Sequence, residues 1–140
     1  LAAGGIACGS QVVASLALGA QGVVIGTRFI ATPEAQAAPA YRQAIVRSTE
    51  ADTLRTRCFT GKPARTIRNR YAESWEKRQD EIQPFPMQVM LSAQSGVMDY
   101  MGIAGDADPD RYFMPAGQGM GMIDAIKPAG EVFAEIVAEA

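Results

Sequence analysis

The chain has 140 residues, of which 48% are apolar and 20% charged, a balance that suits one globular domain with a real core and argues against disorder. Its net charge of −2 gives no whole-chain attraction to nucleic acid or to an anionic membrane. Apolar stretches such as Val23 to Ile25 end long before the about 20 residues that a membrane span needs. Histidine is absent, which removes the commonest general base and the commonest metal ligand. Cys8 and Cys58 lie far apart with no CxxC partner, a spacing that fits reduced thiols in a cytoplasmic protein better than a disulfide framework.

Taken in chain order, the opening LAAGGIACGS runs apolar residues straight into Gly4-Gly5, like the end of a buried strand meeting a glycine turn. Val12, Val13, Leu16, Ala17 and Ala20 then fall on one helical stripe, with Ser10 placed as N-cap and Gly19 and Gly22 marking the end. Val23, Val24 and Ile25 follow as a β-branched run without alternation, the pattern of a strand buried on both faces of a parallel sheet. Residues 1–26 therefore read as strand end, glycine loop, helix and strand, most of a βαβ unit.

Thr32-Pro33-Glu34 has the form of an N-cap, an N1 proline and an acidic first turn, so a helix is expected to open there, with a second start near Pro39 that places Tyr41, Ala44, Ile45 and Ser48 on one face. Residues 53–59 alternate loosely as a short edge strand, and TGKP at 60–63 is a turn. Ile67, Tyr71, Ser74 and Trp75 stand at helical spacing, which predicts a helix from about Ala64 to Arg78, ended by QPFP. Residues 87–101 carry Met87, Met90, Leu91, Met98 and Met101 at near-helical spacing. GDADPD at 105–110 reads as an acidic loop and AGQGMG at 116–121 as a glycine turn. A last amphipathic helix over 128–140 is expected to bury Val132, Phe133, Ile136 and Val137.

Two glycine turns carry the chemistry. A phosphate needs several backbone N–H groups aimed at one spot with no Cβ in the way. Gly4-Gly5 follows the first strand and Gly26-Thr27 the second, and adjacent parallel strands bring their C-terminal ends about 4.8 Å apart, so both turns face one pocket. In an eight-stranded α/β barrel the usual phosphate site uses the loops after the last two strands and a short extra helix, which the helix opening at Thr32 would supply. The bland alternative is that the glycines only permit tight turns; their pairing around one βα unit favours phosphate.

AAGGIA followed by LALGAQGVVIGTRFIATPEA, then TRCFTGKPARTIRNRY, PFPMQ and AGQGMGMI in that order, resembles the nitronate monooxygenase (2-nitropropane dioxygenase) family over essentially the whole chain. GTRF or GGIA alone would be weak; five motifs in sequence are not. The resemblance implies the C-terminal portion of a TIM-like (β/α)8 barrel, comprising the end of strand 7, helix 7 and strand 8, followed by a mostly helical extension. Residues 1–32 would be the last barrel unit, 33–127 a mostly helical substrate-side region, and 128–140 a helix packing back on the barrel. It implies FMN as cofactor, its phosphate end held by Gly4, Gly5, Val24, Ile25, Gly26 and Thr27, with a nitronate and dioxygen as small-molecule partners. Cys8 departs from the Asp that the family commonly carries there. The family's catalytic histidine lies upstream, and a (β/α)8 barrel usually needs about 250 residues, so the chain is expected to be part of a longer enzyme and inactive alone, with no catalytic or metal-binding residue of its own. An NAD(P)H-dependent flavin reductase of the enoyl-ACP reductase type, and a non-catalytic phosphate-binding or interaction fragment, remain as alternatives.

Other signals are weaker. Arg55, Arg57, Lys62, Arg65, Arg68 and Arg70 form a basic stripe, but Arg68 and Arg70 flank the Ile67/Tyr71/Trp75 face instead of forming an aromatic platform, so a solvated or intersubunit face is expected over nucleic acid. A contribution of Lys62 or Arg65 to cofactor or substrate charge, and an approach of Gln118 to the pocket, stay open. The seven methionines, all between 87 and 122, fit core better than a pliant lid. Asp106, Asp108 and Asp110 lack the downstream glutamate of a calcium loop. Nothing in the sequence sets the oligomeric state.

Overall fold

The computed structural model describes residues 1–99 and 108–140; Met101 and Asp106 lie outside the described residues. Strand β1 (Ala2–Ala3) pairs in parallel with β2 (Val23–Val24), Ala2 opposite Val23 and Ala3 opposite Val24. The helix between them, α1 (Gly9–Ala17), starts one residue before the predicted cap. Its N-cap is Cys8, whose side chain caps nothing. The orphan amides at this end are met from elsewhere: Ala7 N–H donates to Gln11 Oε1 at 2.7 Å and Gly9 N–H to Glu139 Oε2 at 2.8 Å. At the other end, Gly19 adopts φ +97°, its amide donating to the Leu16 carbonyl while that of Ala20 donates to Ser15. That pair of bonds is a Schellman stop, which needs the left-handed residue glycine supplies.

The expectation that the second strand is buried on both faces is corrected. The sheet has two strands among the described residues, and Val24 is 52% exposed. The helix expected at Thr32 does not form either. A one-turn helix, α2 (Thr27–Ile30), follows Gly26 directly. Buried Thr32 turns its hydroxyl back to the Phe29 carbonyl at 2.8 Å, which closes α2 where an N-cap would open a new helix. Glu34 has another use: its carboxylate accepts the Ala129 amide at 3.0 and 3.1 Å, capping the last helix. The second predicted start holds, as α3 (Pro39–Arg47) with Tyr41 and Ile45 buried.

Residues 53–67 form a hairpin: β3 (Thr53–Thr56) runs antiparallel to β4 (Ala64–Ile67). The helix predicted from Ala64 is therefore replaced by a strand up to Ile67, followed by the short α4 (Arg70–Ser74). Asn69 marks the boundary. Its side chain accepts the Ala72 amide at 2.9 Å and donates to the Tyr112 carbonyl at 2.7 Å, an N-cap that also ties α4 to the 108–116 segment. Helix α5 (Met87–Gln94) buries Gln88 and Ser92 and exposes Met87, Met90 and Leu91; the core role expected for the methionines holds at Met114 and Met120 but not here. A 3₁₀ turn over Gln118–Met122 takes the place of the expected glycine turn. Helix α6 (Ala129–Glu139) packs on α1 and buries Val132, while Phe133 and Val137 are 62% and 57% exposed, against expectation.

Two apolar clusters result. One gathers Ala31, Tyr41, Ile45, Met114 and Met120, and the other Cys58, Phe59, Ala72, Val97 and Phe113. In the second, Phe59 stacks on Phe113 with ring centroids 4.7 Å apart. No helix among the described residues is long and apolar enough to cross a membrane.

Candidate phosphate-binding cavity

The parallel register sets the C-terminal ends of β1 and β2 side by side, so the turns that leave them converge. Gly4, Gly5, Val24, Gly26 and Thr27 all line one cavity of about 300 Å³. Ile25, the sixth residue expected there, is not part of its lining. Gly4 and Gly5 hold φ of +89° and +75°, two successive left-handed residues that any side chain would strain. Gly26 has an ordinary negative φ of −107°, so its need for glycine, if it has one, is room. A Cβ built on Gly4, Gly5 or Gly26 meets no atom of the protein within 4 Å. The backbone is thus bare on the side where a ligand must approach, and no acceptor among the described residues engages the Gly5 or Gly26 amide.

A third wall comes from the far end of the chain. Gly117 and Gly119, at the 118–122 turn, also line the cavity. The Gly117 amide donates to Thr27 Oγ1 at 2.9 Å, and at Gly119 a Cβ would stand 2.7 Å from the Gly5 carbonyl oxygen. Gln118 between them is exposed and is not part of the lining. Sequence reasoning named the glutamine and missed the glycines, because their spacing matches no phosphate-loop pattern and their partner, Gly5, is more than a hundred positions away. The only legible signal was glycine at every second position of AGQGMG.

No charged side chain among the described residues lines the cavity. Arg28, one residue past Thr27, is buried and turned elsewhere: its guanidinium donates to the Ala125 carbonyl at 3.1 Å and lies 4.0 Å from Glu135, tying α2 to the approach to α6. Lys62 sits over the Phe85 ring at 4.0 Å and Arg65 donates to Thr53 Oγ1 at 2.9 Å, so neither reaches the cavity. Further along the basic stripe, Arg68 pairs with Glu73 and Glu76, and Arg70 with Asp108 and Asp110. An anion in the cavity would be held by backbone dipoles and the Thr27 hydroxyl, a nest of the kind that binds phosphate without a basic side chain.

Known proteins share this sequence and shape. The sequence model described as nitronate monooxygenase matches residues 1–139. A putative monooxygenase of Mycobacterium tuberculosis is 36% identical over 143 residues, covering 99% of this chain and 38% of that protein. A probable nitronate monooxygenase of Staphylococcus saprophyticus is 45% identical over 92 residues, 66% of this chain and 26% of that protein. Among solved structures, FabK from Thermotoga maritima superposes with a TM-score of 0.80 at 36% identity, over 98% of this chain and 42% of its own. Nitroalkane oxidase from Streptomyces ansochromogenes gives 0.78 at 35%, over 98% and 38%. The chain thus spans about two-fifths or less of the length of the relatives it matches.

Proposed function

Because this chain belongs to the nitronate monooxygenase family, we propose that its glycine cavity grips the phosphate of FMN in a flavin-dependent oxidoreductase that oxidises alkyl nitronates with dioxygen. The observation that carries the proposal is the convergence of the Gly4-Gly5, Gly26-Thr27 and Gly117–Gly119 segments on one uncharged cavity, with open space wherever a Cβ would project from the first two. On this reading β1, α1 and β2 are the last units of a TIM-like barrel, with residues 33–127 forming the substrate side and 128–140 the helix that packs back. The two free thiols, Cys8 and Cys58, suit a cytoplasmic setting.

Bound FMN would supply the electron transfer from the substrate and the reaction with dioxygen. The residues of this chain bind and position it. Gly5 and Gly26 present amides to the phosphate, Thr27 fixes the 118–122 turn through Gly117, and Gly119 lets that turn approach Gly5 closely. None of the described side chains lining the cavity titrates, so on this reading the proton-handling group of the reaction lies outside the cavity.

A second reading, a flavin reductase that takes hydride from NAD(P)H, is favoured by the close superposition on FabK. One experiment separates the two: in the longer protein that includes the upstream barrel strands the proposed fold requires, follow the flavin spectrum as alkyl nitronate, and then NADPH, is added without oxygen. Bleaching by the nitronate alone supports the monooxygenase, bleaching by NADPH alone the reductase, and absence of bound flavin removes both in favour of a non-catalytic fragment.

A further inference from the structure

A second concavity, of about 410 Å³, stands on the same two segments as the glycine cavity. Thr27 of α2 and Gly117–Gly119 serve the first, while Ile30 of α2 together with Phe113 and Pro115 serve the second. Thr27 and Ile30 are three helical residues apart, about 4.5 Å, so the two spaces are a little under one helical turn apart. The second has a different chemistry. Ile30, Ala37 and Tyr41 come from one apolar cluster and Met98 and Phe113 from the other, so it lies at the seam where the two clusters fail to close on each other. No charged side chain lines it among the described residues. The Tyr41 hydroxyl is already committed to the Pro115 carbonyl, which leaves the Gln36 amide, exposed at the edge, as the only other side-chain polar group of the described lining.

A cleft of this volume is in the range that binds small molecules (about 300–1,000 Å³), and such sites are mostly apolar with few polar groups. An apolar lining without charge, whose one uncommitted amide sits at the edge, recognises hydrocarbon and disfavours anything that must keep its water. We infer that this seam cleft receives the hydrocarbon chain of the enzyme's substrate, while the adjacent glycine cavity holds the cofactor's phosphate; the inference rests on the function proposed above. The chain belongs either to an alkyl nitronate or to the acyl group of an enoyl thioester, and both present the same methylenes to Ile30, Met98 and Phe113.

The test uses two homologous series, n-alkyl nitronates from ethyl to hexyl and 2-enoyl N-acetylcysteamine thioesters from butenoyl to octenoyl. Apparent affinity is read on the flavoprotein from flavin bleaching by the nitronates and, for the thioesters, from the return of flavin colour after NADPH has reduced it, and on flavin-free protein from displacement of 1-anilinonaphthalene-8-sulfonate. Affinity is expected to rise about fourfold per added methylene in at least one series. Ala37→Phe and Ala35→Phe, which fill the cleft, are expected to flatten that rise while leaving FMN affinity unchanged; if one variant fails to fold, the other decides. The series that shows the rise identifies the substrate. A flat response in both series, or a rise that survives the filled cleft, overturns the inference. If flavin does not bind but the displacement series still climbs and is flattened by the variants, the cleft stands and the flavin assignment falls.

Discussion

At Gly119 and Gly26 the same amino acid answers two different demands, and two alanines separate them. A Cβ at Gly119 would press on backbone atoms of Gly5, at 2.7 and 2.9 Å, and backbone cannot step aside as a flexible side chain does. Gly119→Ala is expected to destabilise the protein by about 1–3 kcal/mol, the usual cost of overpacking, and to weaken FMN binding at least about tenfold; Gly26→Ala, with open space around it, should weaken FMN binding while leaving the melting temperature within about 2 °C, because stability changes at such sites are within about 0.5 kcal/mol. Thermal unfolding beside a flavin titration checks both. Cys58 makes a second case. It is fully buried, and burial pushes its thiol from 9.0 up to about 11. A raised acid favours the folded state while the thiol is neutral in both states, below pH 9, and that contribution drains away as pH rises towards 11, where the unfolded chain alone is free to ionise. Cys58→Ala should therefore show a shallower loss of stability between pH 9 and 11 than the parent, measured by urea unfolding at each pH, and iodoacetamide should label half-exposed Cys8 long before Cys58 in the folded protein. The left-handed pair Gly4-Gly5 was legible in the sequence because a strand end and a helix flanked it. Gly117 and Gly119 were not, because their requirement is set by a long-range approach that no local pattern encodes.

Among the elements, α5 inverts the usual rule that the apolar face of a helix is the buried one. Gln88 and Ser92 are fully buried because both donate to the Cys58 carbonyl, at 2.6 and 3.3 Å, and Gln88 also accepts the Gln83 amide at 2.9 Å. The Gln83 amide depends on that one side chain, while the Cys58 carbonyl shares it with Ser92. Gln88→Ala is expected to cost about 1–3 kcal/mol, the cost of one group left without its partner, whereas Met90→Ser, on the exposed side, should fall within about 0.5 kcal/mol of the parent; chemical denaturation of both variants gives the comparison. Periodicity saw the methionine stripe and could not see that a carbonyl on another segment needed the opposite face. The misplaced helix at 64–78 has a similar cause. Ile67, Tyr71 and Trp75 do stand at helical spacing, but Ile67 is the last residue of β4 and only the later two follow the N-cap. Asn69, three residues before the amide it caps, was the signal for the true boundary. At the start of α1, by contrast, the N-cap Cys8 makes no capping bond to the helix. Cys8→Asp should add about 1 kcal/mol, partly offset by the Glu139 carboxylate already present at Gly9.

For the whole molecule, the βαβ unit and the convergence of its two glycine turns were readable from sequence, while the burial of the unit's outer surfaces was not. Val13, Leu16, Val24, Phe133 and Val137 are all more than two-fifths exposed, on elements whose patterns predict burial, and an uncovered apolar strand edge favours association. The 140-residue chain produced by itself is expected to elute from size exclusion as aggregates and to carry no yellow colour, and to become monodisperse and yellow when joined to the upstream barrel strands that the proposed fold requires. On the proposed reading, the converging glycine segments and the Thr27 hydroxyl hold a phosphate without a basic side chain. This is tested most directly by titrating the flavin-free form of that longer protein with FMN and with riboflavin, which differ only in the phosphate. FMN binding at least about a hundredfold tighter than riboflavin, about 2.7 kcal/mol, with the gap closed by Gly5→Val, is the expected result; equal affinity for the two flavins, or a gap untouched by that substitution, would contradict it.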